Sequence, residues 1–398
     1  MTSQHVPRPP IPRTIWALGF VSLFTDMGSE MVHSLLPVLL TGLGASALTI
    51  GLIEGSAEAL VLVTKIFSGY LSDAIGRRKP LVLLGYGLAT VVKPLFPLAH
   101  SVAMVTTARL LDRFGKGIRG APRDALVSDL APPSIRGACF GLRQSMDTVG
   151  AVLGPLFAVA LLWRFANDMR TVLWFAVVPG IVAVLLLLKV PEPADTASHT
   201  ARLPLSREGL SRLGTAFWRL ALLGVLIALA RFSEAFLVLR ASERHLPLTF
   251  IPLVLVEMSV VYSLTAYPIG RLSDRLSRKW LLAAGMLVLT FADIALASAN
   301  GYALLFAGIA LWGLHMGMTQ GLLATMITDV SPPEYRGTAF GVFNLLSGVG
   351  LLAASGLAGW LWDRHGPPAT FFAGAVIALL ATICISLSRR TRSADQTC

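Results

Sequence analysis

The chain has 398 residues, 55% of them hydrophobic and only 14% charged, with a formal net charge of +11. A soluble domain carries roughly a quarter charged residues, so this composition excludes an ordinary water-soluble fold. The positive balance does not point to nucleic acid. The bases sit mostly in short loops between apolar runs, where membrane topology and anionic lipid headgroups account for them.

Apolar runs recur at roughly 15–40, 47–71, 80–99, 101–126, 137–163, 171–189, 218–240, 248–271, 280–299, 302–327, 337–361 and 369–388. About 20 residues suffice to cross ~30 Å of hydrocarbon as a helix. Each run is too long for a barrel strand, and a backbone crossing lipid must satisfy its own hydrogen bonds, so twelve transmembrane helices are predicted. Arg8 and Arg13 precede the first run, which Asp26, Glu30 and His33 interrupt. It is too long for a signal-peptide core and reads as a retained helix, with Ala45-Ser46-Ala47 a loop rather than a cleavage site. Cys139, Cys384 and Cys398 show neither metal spacing nor pairing logic.

The distribution of Arg and Lys sets the expected orientation. Loops after even-numbered spans carry clusters such as Arg77-Arg78-Lys79, Arg275 with Arg278-Lys279, and Arg389-Arg390. The bases Arg119, Arg123 and Arg136 fall at the end of span 4 and just after it, on the same side. The opposite side shows only Arg164, Arg170, Arg240, Arg244 and Arg364. The base-rich side is expected to be cytoplasmic, with both termini inside and the protein in a bacterial inner membrane. The expected organisation is a cytoplasmic tail at 1–14, a six-helix bundle at 15–189, a linker at 190–217, a second six-helix bundle at 218–388 and a tail at 389–398. The linker is rich in Pro, Ser and Thr at its start and then amphipathic, as for a short helix on the membrane surface.

The stretch Gly69–Lys79, GYLSDAIGRRK, returns as Gly270–Lys279, GRLSDRLSRK, about half the chain later. Ser128-Asp129-Leu130-Ala131-Pro132-Pro133 followed by Arg136-Gly137 is answered by Thr328-Asp329-Val330-Ser331-Pro332-Pro333 followed by Arg336-Gly337. Two copies of a unit with an even number of spans lie parallel in the membrane. The fold class is therefore an all-α membrane protein of two parallel six-helix repeats.

Twelve spans in two halves, with GxLSDxxGRRK after span 2 and a degenerate copy after span 8, resemble the major facilitator superfamily. The resemblance covers about residues 14–390. It implies that Gly69, Asp73 and Arg77, with Gly270 and Asp274 in the copy, belong to a gating element whose aspartate latches the two halves. For Arg77-Arg78-Lys79, at the cytoplasmic surface, topology alone explains the bases and is the favoured reading. Arg109 stands where the family has the arginine of RxxxGxG, although Arg113 replaces the first glycine and Gly115 is kept. Gly150, Gly154 and Pro155 match most of GxxxGPxxG, a motif of antiporters, with Ala158 in place of the last glycine. A bare GxxxG is also a helix-packing device, and both readings stay open.

Ionisable groups at mid-bilayer are costly and rare, so each asks for a role. Asp26, Glu30 and His33 in span 1 are spaced four and three, on one helix face. Glu54, Glu58 and Lys65 share a face of span 2, and Arg109, Asp112, Arg113 and Lys116 one of span 4. Span 3 has Lys93, and span 5 has Arg143 and Asp147. Two readings fit: buried ion pairs that hold the first half together, or a polar cavity with a proton site and a cation site. Carboxylates shielded from water can bind and release protons. The second half has only Arg231, Glu234, Glu257 and Asp293, with Trp312, His315, Met316 and Met318 in span 10. The candidate substrate and proton residues are therefore Asp26, Glu30, His33, Glu54, Glu58, Arg109, Asp112, Asp147 and His315. Glu30, His33 and His315 could offer O and N ligands to a borderline divalent metal, whereas a lone His315 beside Met318 also reads as packing.

The stretches TDMGSEMVHSLLP, IEGSAEA, RLLDRFGKGIRGAPRDAL and GLRQSMDTVGAVLGP are similar to nickel-resistance permeases of the same superfamily. The end SRRTRSADQTC departs from their histidine-rich tail. The resulting expectation is a proton-coupled exporter, a monomer working by alternating access, with a divalent cation such as nickel as cargo. The alternatives are a drug/proton antiporter for amphipathic organic compounds and a non-transporting sensor on the same scaffold. No nucleotide loop or catalytic triad argues for an enzyme, and no cofactor is expected. The partners are a small molecule or ion, protons and the lipid bilayer.

Overall fold

The computed structural model describes residues 9–192, 207–273 and 275–387, and among these every regular element is helical. The first half of the chain forms α1 (Arg13–Gly42), α2 (Ala47–Ile75), α3 (Lys79–Val92), α4 (Val102–Leu130), α5 (Arg136–Arg164), α6 (Met169–Phe175) and α7 (Val177–Leu188). A short α8 (Arg207–Arg212) follows within the linker region. The second half forms α9 (Thr215–Ala230), α10 (Ala235–Glu243), α11 (Leu253–Ser273), α12 (Arg278–Ser298), α13 (Tyr302–Val330), α14 (Arg336–His365) and α15 (Pro367–Leu387).

Nine segments of the described residues are long and apolar enough to cross a membrane. They are α2, α5 with its leading turn, α6 with α7, α9 with α10, α11 with its leading turn, and each of α12 to α15. The helices at the expected first, third and fourth spans, α1, α3 and α4, are not among them. α3 has only 14 residues before a 3₁₀ turn at Lys93–Leu95, and α4 carries a dense stripe of Arg, Lys and Asp. Large apolar side chains such as Trp163 (80% exposed) and Leu222 (72%) face outward, the arrangement expected where the solvent is lipid rather than water.

Two expected spans are broken rather than continuous. α6 gives way to α7 at Ala176, three residues before Pro179, whose ring nitrogen cannot donate to the preceding turn. α9 ends at Ala230 and α10 starts at Ala235. Between them, the Ser233 amide donates to Ser355 Oγ (3.1 Å) and Ser233 Oγ accepts from the Ala235 amide (3.2 Å), so the broken backbone is hydrogen-bonded within the protein.

The chain gathers into two compact units. One comprises Met1–Gly44, Leu60–Arg202 and Pro247–Val256, the other Ala45–Ala59, Leu203–Leu246 and Glu257–Cys398. The boundary between them therefore falls within α2 and within α11 as well as in the linker.

In the first unit α1 packs on α5 and α3 on α4. Gly150 and Gly154 lie against the backbone carbonyls of Leu23 and Met27, where a Cβ would collide with α1 itself. A Cβ on Gly85 or Gly115 would meet the other's carbonyl oxygen at 2.6 and 2.8 Å. Small residues at these points let the helix backbones touch. An apolar core of Ile15, Leu18, Val82, Leu126, Cys139 and Leu187 closes one end of this unit.

In the second unit the first part of α2 lies against α14. A Cβ on Gly55 would meet Leu352 Cα at 2.9 Å, and one on Gly359 the Ala47 carbonyl at 2.5 Å. Asp363 caps the start of α2, its two carboxylate oxygens each accepting one backbone N–H, from Ala47 and Leu48, at 3.0 Å. Phe232, Phe236, Trp312, Trp362 and Phe371 form a connected aromatic cluster.

The sequence repeat reappears as repeated bonding. Arg78 binds Asp129 (3.4 Å), and Arg278 binds Asp329 at the matching place. Lys79 Nζ donates to the Leu188 carbonyl at 3.1 Å and Lys279 Nζ to that of Ser386 at 2.9 Å. On the base-poor side, two arginines are bound to helix ends instead of lying free. Arg170 donates to the carbonyls of Pro97 and Ala99, and fully buried Arg240 to those of Leu296, Ala297 and Ala299.

Candidate functional site

In the first unit, α1 presents Thr25, Ser29 and His33 toward the protein with Asp26 and Glu30 half-buried beside them. His33 Nδ1 lies 3.1 Å from Glu30 Oε2, as the i,i+3 spacing allows. Asp26, one turn earlier, lies 3.9 Å from the Arg119 guanidinium of α4. Arg119 in turn stacks over the Tyr86 ring of α3, 4.6 Å from its centroid.

A second cluster joins α1, α3 and α4. Lys93 Nζ donates to Ser29 Oγ (3.1 Å) and lies 3.7 Å from Asp112, while Arg113 reaches the same carboxylate at 3.9 Å. Lys93, Asp112 and Arg113 are all buried, and charges out of water must be paired in this way. Arg109 is buried too and is not free. On α5, Arg143 binds Asp147 at 2.6 Å, and Arg123 stands 3.9 Å from that acid and 3.2 Å from Asp124.

The six residues expected from spans 1, 4 and 5 thus lie in one unit, as neighbouring pairs: Asp26–Arg119, Glu30–His33, Asp112 with Lys93 and Arg113, and Asp147 with Arg143. Arg109, the sixth, is buried on α4 in the same unit. Glu54, Glu58 and His315 belong to the other unit. Glu54 is buried and Glu58 half-buried, and neither is free. His315 is fully buried, with Nδ1 2.8 Å from the Gly285 carbonyl and its ring edge-on to Trp312. Among the described residues no group of three or more His, Cys, Asp and Glu side chains could hold a metal ion. Of the candidate metal set, Glu30 and His33 lie in one unit and His315 in the other.

The residues expected to gate fall as follows. Asp73 pairs with Arg78, which also reaches Ser72 and Asp129. Arg78 and Lys79 give their backbone N–H groups to Glu192, and Arg77 is exposed. A Cβ on Gly69 would meet Ala121 Cβ at 3.2 Å, whereas Gly270 has nothing within 4 Å. Asp274 lies outside the described residues. Gly150 and Gly154 are packing contacts on α1, and Pro155 is buried beside them.

Sequence reasoning missed Tyr86 and Asp363, and the pairings made by Arg78, Asp129, Lys93 and Arg119. Asp129 and Asp329 were detectable, since they recur at the same place in both repeats. Arg119 continues the α4 stripe three residues after Lys116 and is only 3% exposed, although its position near the end of the run reads as a loop base. Outside the spans, the hydroxyl and amide of Thr171, with the Arg170 amide, hold the Asp168 carboxyl below its usual range. That carboxylate caps α6.

Three relatives place this arrangement. An MFS-type transporter of Methanocaldococcus jannaschii is 30% identical over 94% of each chain. The multidrug resistance protein MdtH of Cronobacter sakazakii is 28% identical, over 89% of this chain and 85% of its own. The inner membrane transport protein YajR of Escherichia coli is 26% identical, over 92% of this chain and 81% of its own. The family description Major Facilitator Superfamily matches residues 18–255 and 220–397, nearly the whole chain. The protein is a multi-pass membrane transporter of the major facilitator superfamily.

Proposed function

We propose that this transporter is a proton-coupled exporter of small organic compounds, working as a single chain by alternating access in a bacterial inner membrane with both termini in the cytoplasm. The observation that carries the reading is the ionisable face of α1. Asp26 and Glu30 keep 21% and 20% of their side-chain surface exposed, against 7% for Asp112, which Lys93 and Arg113 enclose. The Glu30–His33 pair is thus the acid–base pair within reach of protons, and the enclosed acids are structural. Multidrug-type relatives favour organic cargo. The expectation of a divalent metal such as nickel lacks the ligand cluster that would support it. The base-rich loops support the inward orientation of the termini.

The test uses inside-out vesicles with an acid interior and a panel of amphipathic dyes. Uptake of at least one dye is expected, with collapse when a protonophore removes the gradient and loss in Glu30→Gln. Uptake that persists without the gradient sinks the coupling. Resistance to nickel with no dye transport sinks the organic cargo.

A further inference from the structure

Arg119 is a buried base on α4 with an unmade donor. Its side chain is 3% exposed, and Nη1 is buried with no hydrogen-bond partner among the described residues. Its counter-charge Asp26, at 3.9 Å, is beyond hydrogen-bond reach. Tyr86, whose ring lies under the guanidinium, is 1% exposed, and its hydroxyl is likewise buried without a partner. A guanidinium offers five donors in a planar fork that fits a carboxylate bidentately. Buried polar groups left unmade are rare enough to ask for a ligand. Here two such donors, one from α3 and one from α4, stand within a single stacking contact.

The neighbouring bases favour an anion, which would compete with Asp26 for Arg119. Half-buried Lys116 and largely buried Arg123 flank Arg119 at spacings of three and four, one stripe of the helix. Asp124 and Asp147 are already taken by Arg123 and Arg143. A cation brought to this stripe would meet repulsion, while a carboxylate would receive Arg119 and the Tyr86 hydroxyl together.

We infer that Arg119 and Tyr86, backed by Lys116, form a binding point for the anionic group of the substrate, and that the exported class is organic anions bearing a carboxylate. The inference rests on the exporter reading only for the direction of movement. An anion leaving a negative cell interior also moves down the electrical gradient.

The test is equilibrium binding to the purified full chain in detergent micelles. The probes are fluorescein, an anionic carboxylate dye, and ethidium, a cation. Fluorescein should bind, and Arg119→Gln should weaken it about tenfold or more, the loss expected for a charge-assisted hydrogen bond. Arg119→Lys, which keeps the charge, should retain binding better than Arg119→Gln, and both variants should be checked for an unchanged melting profile. Tyr86→Phe should weaken fluorescein by a smaller factor. Ethidium should not depend on Arg119. Absence of fluorescein binding, or binding equal in wild type and a folded Arg119→Gln, overturns the site. So does ethidium binding that is lost in Arg119→Gln. Failures stay separable. Dye export with fluorescein binding indifferent to Arg119 removes the anion site and leaves the exporter. Arg119-dependent binding without transport does the reverse.

Discussion

Asp363, in the last turns of α14, accepts the backbone N–H of Ala47, the first residue of α2, at 3.0 Å, and its other oxygen takes Leu48 at the same distance. The first N–H groups of a helix have no partner of their own, and a carboxylate there also meets the positive end of the helix dipole. The bond lies beside the Gly359 contact, where the two helix backbones touch. Asp363→Ala should lower stability by about 1 kcal/mol, the usual worth of a helix cap, and Asp363→Asn by less, since one amide oxygen still accepts. Thermal unfolding of the purified protein reads the order Ala below Asn below wild type. Equal midpoints would remove the cap from the account.

The glycines of α5 give a prediction with an internal control. Gly154 presses on the Met27 carbonyl, whereas Gly141 on the same helix has nothing within 4 Å. Gly154→Ala should cost about 1–3 kcal/mol, as overpacking does. Gly141→Ala should be neutral or raise stability by up to roughly 1 kcal/mol through helix propensity. Melting curves of the two variants side by side decide it, and a harmless Gly154→Ala would show that α1 can move away.

The acids of the first unit should divide by enclosure. Asp112→Asn leaves Lys93 and Arg113 without their carboxylate, and removing one partner of a buried pair costs about 3–5 kcal/mol, so folded yield should fall sharply. Glu30→Gln touches the part-buried pair with His33 and should leave yield intact while transport is lost. Size-exclusion yield with a vesicle transport assay separates these outcomes. Loss of folded protein in both would make Glu30 structural as well.

The repeated Arg–Asp pair should be unequal. Arg78 is nearly enclosed and serves Asp73, Ser72 and Asp129, while Arg278 is about a third exposed and holds Asp329. Arg78→Ala should cost about 1–3 kcal/mol, and Arg278→Ala less than about 1 kcal/mol, the range of exposed pairs. A double-mutant cycle with Asp129→Ala should show coupling, because the two share one contact. Additive effects would mean the pair is not an energetic unit.

Asp168 supplies the pH dependence. Its carboxyl is held below the usual range by hydrogen bonds from Thr171 and Arg170. The cap of α6 is therefore present above the ordinary carboxylate range and is lost as pH falls through the lowered value. The protection of the amides at the start of α6, relative to the intrinsic exchange rate at each pH, should fall on acidification in wild type and be low at every pH in Asp168→Ala.

Much of the fold was legible because lipid imposes long apolar runs and because the loop motifs recur. The helix of span 4 shows how the signal can shift. α4 is not among the nine described segments apolar enough to cross a membrane, yet the run at 101–126 reads as a span and its stripe at Arg109, Asp112 and Arg113 is helical in spacing. The pairing of charges was not legible, since which base meets Asp112 depends on the neighbouring helices, and Lys93 comes from the end of α3. The surface that Gly150 and Gly154 pack against, the backbone of α1, was not legible either. His33 and His315 looked alike as ligands in one dimension. His315 is buried and bonded through Nδ1 to the Gly285 carbonyl within its own unit.

The repeat divides the chain at the linker, but its compact units do not. Ala45–Ala59 is counted with the second unit and Pro247–Val256 with the first. Each half of the gene therefore encodes a segment of the other compact unit. A chain cut in the linker should yield fragments that fail when made singly and recover when both are made in one cell.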